Sequence, residues 1–496
     1  MAYLSPELKN TYNLAVAGAG PMGLFTAITA ARKGLSVCIV DYKEEKDIGR
    51  KVCGDFMGES VIGFIKDNLN LDYSDIITNK LKHMDIYSPD GTVISVPSDG
   101  VMIDRHTFSQ KLLKDTLKEE CDLKSACICK EPVIKDGCVC GVKIYDKNAE
   151  KSYVIHSDIV VDATGAAGIL RKKACDNKFF DSPFIERYID PEDMSRSYRQ
   201  IIKLKNPLDN TDTGKMNLLS ESGGYYWFFP VDADTANVGI GIARNHKEDN
   251  LKEMLEAIMA EDEIFNGSLM IEDGGGVVPT RRALYSLVDN GIMFGGDAAF
   301  QTNPLTGGGI GSSIGAGFML ATIAAEAIKN NDVSQEGLWG YNTWYYGSNN
   351  ELRKKYRGDL FDGGIQAGRD IIRTFVQSLE NKQVDWIFKN YMDRSTFSDM
   401  TSANSDLLTP KRKAKILIRG IRNPILLRIG ETISLMKEMN EVYENYPSTS
   451  DLFSDWKKEV DSIDVKFNDM STQSSLSLWL SLFKHMTDKH DIQKDV

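Results

Sequence analysis

A short apolar run, Leu14 to Ala17, passes into a glycine-rich turn, Gly18-Ala19-Gly20-Pro21-Met22-Gly23, and then into an alanine-rich stretch. The run is too short for a helix and bounded like a buried strand, while the stretch after the turn has helical length. A second apolar run, Ser36 to Val40, ends at Asp41 and completes a strand-helix-strand unit, so the chain opens as an α/β protein. The same signature returns late. Ile292 to Phe294 reads as a strand running into Gly295-Gly296-Asp297, after which Gly307 to Gly309 opens a long helix of small residues at Ile310. In between, Ser197 to Leu204 and Ala236 to Ile242 are strand-like and predict an antiparallel sheet, making the whole α+β in character. In Tyr225 to Pro230 the two-residue period puts Tyr225, Trp227 and Phe229 on one face and Tyr226 and Phe228 on the other. Beyond about 346, charged amphipathic runs dominate and glycine is scarce after Gly368, which predicts helices with a break at Pro424.

The opening unit has the chemistry of a dinucleotide site. Gly18 permits the tight turn, Gly20 lets backbone approach a pyrophosphate, and Gly23 lets helix and strand pack closely. The helix start then faces the phosphates with its partial positive charge. Met22 lies inside this turn, and Asp41 follows Gly18 by 23 residues, near the ~20 at which a carboxylate takes ribose hydroxyls. At the second glycine loop, Asp297 stands at a strand end where it can accept from a sugar-like hydroxyl. The backbone of Gly308, Gly309 and Ile310 opens a helix whose N–H groups can face an anionic ring.

Composition narrows the field. The 496 residues carry 59 basic and 71 acidic side chains, a net charge of −12, which argues against a global grip on nucleic acid. Eight cysteines are too few for a disulfide scaffold, and the first residues have neither a basic nor an apolar leader pattern, so a reducing cytosol is expected. No run of about 18 uninterrupted apolar residues predicts a membrane span; the nearest, Leu305 to Ile328, is loaded with glycine and serine. Cys127, Cys129, Cys138 and Cys140 bracket a hairpin around Lys135-Asp136-Gly137, and their C-x-C spacing with no nearby histidine fits two half-buried strands better than zinc. No metal site is expected.

Further segments carry a resemblance. The stretch Gly291 to Ile328 resembles the GD motif of FAD-dependent enzymes of the aromatic hydroxylase class, and DIVVDATGA, with Gly165, resembles the strand and turn closing their FAD domain. MIDRHTF matches the place where those enzymes put an arginine near the cofactor, here Arg105. RKVCGDFMG, Arg50 to Gly58, and GGYYWFFPVDADTANVGIGIA, Gly223 to Ala243, resemble the geranylgeranyl reductase family, with its cysteine-glycine loop beside the flavin and its Y-x-W-x-F-P motif. Asp55 departs from the glutamate of many archaeal relatives. The resemblance covers about residues 11 to 345 and implies a Rossmann-like FAD-binding domain in two pieces, 1–175 and 275–345, an antiparallel substrate domain, 176–274, and a helical region, 346–496.

What this implies is FAD-dependent reduction of isoprenoid double bonds in geranylgeranyl chains of archaeal membrane-lipid precursors, with hydride from the flavin and a proton from elsewhere. Cys53 and Gly54 would contact the cofactor, Cys53 also standing as the candidate proton donor. Tyr225, Trp227, Phe229 and Pro230 would line the substrate site. The electron donor stays open between NADPH, ferredoxin and a reduced quinone. Rival readings are a flavin monooxygenase or halogenase on the same fold, although a W-x-W-x-I-P segment is missing, and an electron-transfer flavoprotein serving quinone, although the last cysteine is Cys175. A basic, apolar segment, 411–428, with Lys411, Arg412, Lys413, Lys415, Arg419, Arg422 and Arg428, is expected either to lie peripherally on an anionic inner membrane face or to pack as a core helix.

Overall fold

The computed structural model describes residues 11–178, 180–219, 222–243, 246, 249–347, 363–390, 424–470 and 477–478. The first of two sheets grows around strand Thr11–Ala17, which runs parallel to Val37–Val40 on one side and Lys151–Asp162 on the other. All four residues of Val37–Val40 are buried, as a strand covered on both faces requires, which is why it reads as an unbroken apolar run. Ile292–Phe294 extends the sheet beyond Lys151–Asp162, also in parallel. The register sets Ala17 beside both Val40 and Asp162, and Asp162 beside Phe294. Four strand ends therefore share one sheet edge, where open α/β sheets hold their ligands.

The cysteine hairpin pairs Cys127–Lys135 with Cys138–Asp146 and continues this sheet through Lys151–Asp162. Its turn is Asp136 and Gly137, both with positive φ, 51° and 76°, the two-residue geometry that matches strand twist. Cys129 faces Ile144 and Cys138 faces Lys135, so the two pairs lie about 20 Å apart along the ladder and do not converge on one centre.

The second sheet runs, in spatial order, Leu269–Pro279, Met194–Lys203, Thr235–Ala243, Gly224–Pro230, Thr213–Leu219, Ile77–Tyr87, Val93–Ile103 and Phe56–Gly58. Only Thr213–Leu219 and Ile77–Tyr87 pair in parallel. Three of its strands come from within 56–103, so the second sheet draws on a stretch that sequence reading gave to the FAD-binding piece 1–175. Ile77–Tyr87 shows the reason: its buried positions alternate with half-buried and exposed ones, the mark of an antiparallel strand covered on one face.

Helix Ile310–Lys329 is long and apolar enough to cross a membrane, yet 78% of its most apolar stretch is buried inside the protein. It lies against helix Pro21–Arg32, and a Cβ on Gly317 would stand 2.8 Å from the Met22 carbonyl oxygen, so glycine sets that close approach. The helices Gly363–Gln377, Asn381–Asn390 and Pro424–Glu444 roof the second sheet. Phe375, Leu379, Val384, Phe388, Ile425 and Leu427 form one apolar cluster with Trp227 and Phe229. Pro424 opens its helix, the position where a missing N–H costs nothing. Ion pairs fix the roof's approach: Arg282 meets Asp464 of helix Phe453–Met470 at 2.5 Å and Asp370 of helix Gly363–Gln377 at 3.6 Å.

Of the basic segment 411–428, residues 411–423 lie outside the described residues. Its far end corrects part of the membrane reading. Ile425, Leu426 and Ile429 are buried in the protein, and the Arg428 guanidinium stacks over the Phe375 ring at 5.5 Å. Those apolar side chains are committed to the roof and offer no area to a bilayer.

Candidate functional site

The three glycines of the first turn have separate tasks. Gly18 has φ +110°, and a Cβ there would stand 2.2 Å from the Ala163 carbonyl oxygen; on Gly23 it would stand 1.8 Å from the Gly18 carbonyl oxygen. Both contacts are backbone on backbone, so these two residues weld the turn to the neighbouring loop and the helix to the turn. Gly20 is different: a Cβ there would meet nothing within 4 Å. It caps helix Pro21–Arg32 without any side-chain hydrogen bond, which leaves the first N–H groups for an external acceptor. Gly165, with φ +71°, is equally open. Met22 is buried, and its side chain packs beneath Gly295, where a Cβ would come within 1.9 Å of Cε. Its part is to hold two loops together.

Asp41 is buried at the end of Val37–Val40. Its Oδ2 accepts from the Ala19 N–H at 2.7 Å and its Oδ1 from the Lys43 N–H at 2.9 Å, so backbone aims the carboxylate, while remaining lone pairs are free for hydroxyls. Asp297 lies on the same sheet edge, just past strand Ile292–Phe294. Its Oδ2 pairs with Lys51 Nζ at 2.8 Å and its Oδ1 accepts from Thr302 Oγ1 at 2.8 Å. Burial pushes this carboxyl up, but Lys51 and the Thr302 hydroxyl win and hold it below the usual carboxylate range. Gly309 caps helix Ile310–Lys329, again without a side-chain cap, and a Cβ there would sit 2.8 Å from Thr302 Oγ1. Gly308 and Ile310 flank that opening.

Arg105, the first residue of helix Arg105–Lys118, is half-buried with Nε shielded and without a hydrogen-bond partner. Burial alone would lower its pKa; Cys53, Asp55 and Asp297 around it raise it instead. Two uncapped helix starts, two open glycines and an orphaned guanidinium N–H on one edge form a donor set that fits an anionic, oxygen-rich dinucleotide. Gly20, Gly165, Arg105, Asp41, Asp297 and the 308–310 backbone would hold it.

The loop 50–55 joins this edge to the second sheet. Asn237 is fully buried; its Oδ1 accepts from Trp227 Nε1 at 3.0 Å, and its Nδ2 donates to the Cys53 carbonyl at 2.9 Å and to Asp55 Oδ2 at 3.0 Å. Arg199 Nε donates to the same Cys53 carbonyl at 3.2 Å. Gly54 packs on the aromatic strand, its Cβ position 3.4 Å from the Phe229 ring. Tyr225 OH donates to the Thr306 carbonyl at 2.5 Å, tying the strand to the second glycine loop; burial, then the nearby Cys53, pushes its phenol up to about 12. Trp227 and Phe229 stack at 6.3 Å, and the Pro230 carbonyl accepts from Asn79 Nδ2 at 2.9 Å. The alternation read from sequence holds: Tyr225, Trp227 and Phe229 face the roof cluster, Tyr226 and Phe228 a separate one. Sequence reading missed Lys51, Asn237 and Arg199, since no local pattern distinguishes them.

The architecture is that of a flavin-dependent oxidoreductase fold. A geranylgeranyl bacteriochlorophyll reductase-like protein from Thermoplasma acidophilum is 21% identical with a TM-score of 0.68, over 85% of this chain and 99% of that one. A flavin-dependent brominase shares the fold at 15% identity and a TM-score of 0.56, over 92% of this chain and 100% of its own. Residues 182–278 match the geranylgeranyl reductase catalytic domain. The digeranylgeranylglycerophospholipid reductase of Sulfolobus acidocaldarius is 30% identical over 93% of this chain and 99% of its own length. A Methanococcoides burtonii protein of the same name is 29% identical over 77% of this chain and 91% of its own. The chain belongs to the digeranylgeranylglycerophospholipid reductase family.

Proposed function

We propose that this protein is an FAD-dependent reductase of the isolated double bonds in geranylgeranyl chains of glycerophospholipids. The observation that carries the reading is the double tether of loop 50–55. Lys51 ties it to Asp297 on the dinucleotide edge, and Asn237 ties it to Trp227 on the aromatic strand. Cofactor edge and apolar cluster thus share one loop. A long hydrocarbon chain needs apolar contact area, and Trp227, Phe229, Leu81, Met84, Phe375 and Phe388, clustered under the helical roof, would supply it as the chain threads between them.

FAD, when bound, supplies the hydride and its two electrons. The protein's residues bind its phosphates at Gly20, take hydroxyls at Asp41 and Asp297, orient the alkene on the aromatic face, and exclude water and oxygen beneath the roof. The basic residues 411–422 would carry the protein to an anionic lipid surface, and an external donor, NADPH, ferredoxin or a reduced quinone, would renew the flavin. The test is anaerobic incubation of the dithionite-reduced protein with a digeranylgeranyl glycerophospholipid and mass spectrometry of the lipid. Gain of two hydrogens per double bond supports the reading; unchanged lipid from protein carrying reduced FAD overturns it.

A further inference from the structure

Asp55 stands in the loop that joins the cofactor edge to the aromatic strand, in a backbone conformation rarely chosen by a side-chain-bearing residue. Its φ is +53°, in the left-handed region, which among side-chain-bearing residues Asp and Asn tolerate best. Its carbonyl accepts from the Ile103 N–H at 2.9 Å, which locks this turn to the second sheet. One carboxyl oxygen, Oδ2, is held by Asn237 at 3.0 Å, with the Arg199 guanidinium 3.7 Å away. The other, Oδ1, is shielded from solvent and has no hydrogen-bond partner. A buried carboxylate oxygen without a donor is costly, whereas the same oxygen bearing a proton can give it away.

We propose that Asp55 is the proton donor to the substrate double bond, presented by its left-handed turn and by Asn237 and Arg199. The inference rests on the reductase reading above. The charged and titratable groups facing it are Arg199, Arg105, Glu272 and the Cys53 thiol. Burial pushes the carboxyl up to about 6; Arg199 and Arg105 oppose this, Glu272 adds to it, and the Cys53 thiol weakly opposes it. Arg199 is itself engaged by Glu272 at 3.0 Å, which dilutes its pull on Asp55. In the step, the proton leaves Asp55 for one alkene carbon and a hydride from reduced flavin reaches the other. The π bond breaks, two C–H bonds form, the flavin is oxidised by two electrons, and Asp55 is left as carboxylate until solvent reprotonates it. Asn237 and Arg199 act as positioning residues.

The test is Asp55→Asn beside the parent holoenzyme, since Asn accepts the left-handed turn. Expected is full flavin content, single-turnover lipid reduction slowed about 10²-fold or more, and loss of the limb on which the parent's rate falls as pH rises through about 6. Asp55→Glu should recover part of the rate. Infrared difference spectra of the lipid-free protein should show a protonated carboxyl band that titrates near that pH and vanishes in Asp55→Asn. Cys53→Ala should keep the limb; its loss there would overturn the proposal and make Cys53 the donor. A parent that reduces lipid while Asp55→Asn matches its rate and pH profile overturns the proposal and leaves the reductase reading intact. A flavin-loaded parent that reduces no lipid overturns both.

Discussion

Gly20→Val separates cofactor binding from folding more cleanly than any other substitution at the first turn. Gly20 has φ −74° and ψ 179°, ordinary extended backbone that also suits a residue before proline. Its Cβ position is empty to 4 Å apart from its chain neighbours, so a small side chain there has room. The fold should lose nothing, and restricting the unfolded chain should add roughly 0.4–1 kcal/mol. Gly23→Val is the contrast: its Cβ falls 1.8 Å from the Gly18 carbonyl oxygen, and forcing the helix off the turn should cost about 1–3 kcal/mol or more. The assay is thermal unfolding of flavin-stripped protein with and without FAD, read beside visible absorbance of the purified protein. FAD at 100 times its Kd should stabilise the parent by ~2.7 kcal/mol. Gly20→Val should melt at or above the flavin-stripped parent, show no shift with FAD and be colourless, whereas Gly23→Val should melt lower throughout. A yellow Gly20→Val with the parent's FAD shift would refute the assignment of this turn to the pyrophosphate.

Asn237→Leu should strand the Trp227 indole N–H and one Asp55 oxygen, while the Cys53 carbonyl keeps Arg199; at about 1–3 kcal/mol for each stranded group, urea unfolding should register a loss of about 2–6 kcal/mol, and unchanged stability would show that the bridge is idle. Asp297 is held below its ordinary range in the folded protein, so its contribution is present above the unfolded carboxylate pKa and is lost as pH falls through the depressed value. Lys51→Met leaves burial opposed by less, so the acid limb of stability should move to higher pH in thermal melts across the acid range; an unmoved limb contradicts the pairing. Reversing Lys411, Arg412, Lys413 and Lys415 to Glu should abolish sedimentation with anionic liposomes at low salt, each basic residue contributing up to ~1 kcal/mol at such a surface, and undiminished sedimentation would dismiss the segment as a lipid contact.

The features legible in sequence were those written in short-range periodicity. The turn from Gly18 to Gly23, the strand Ile292–Phe294 with its Asp297, and the alternation of Tyr225, Trp227 and Phe229 each announce themselves within ten residues. What stayed hidden depends on partners far along the chain. Lys51 and Asp297 are 246 positions apart, and Asn237 reaches back 184 to the Cys53 carbonyl. A single asparagine in Thr235–Ala243 carries no mark of its three bonds. The passage of 56–103 into the second sheet was hidden for a related reason, because strand period reveals a covered face without revealing which sheet covers it. The helices after 346 carry no motif of their own, yet the apolar sides of the described ones pack over Trp227 and Phe229.

Electrons held on this flavin should end in a carbon chain. This is tested most directly by mixing the reduced holoenzyme with a digeranylgeranyl glycerophospholipid under strict exclusion of oxygen, following flavin reoxidation by absorbance and counting double bonds lost by mass spectrometry. Reoxidation is expected, with one flavin oxidised for each double bond lost. Flavin that stays reduced until oxygen enters, beside lipid of unchanged mass, would contradict it.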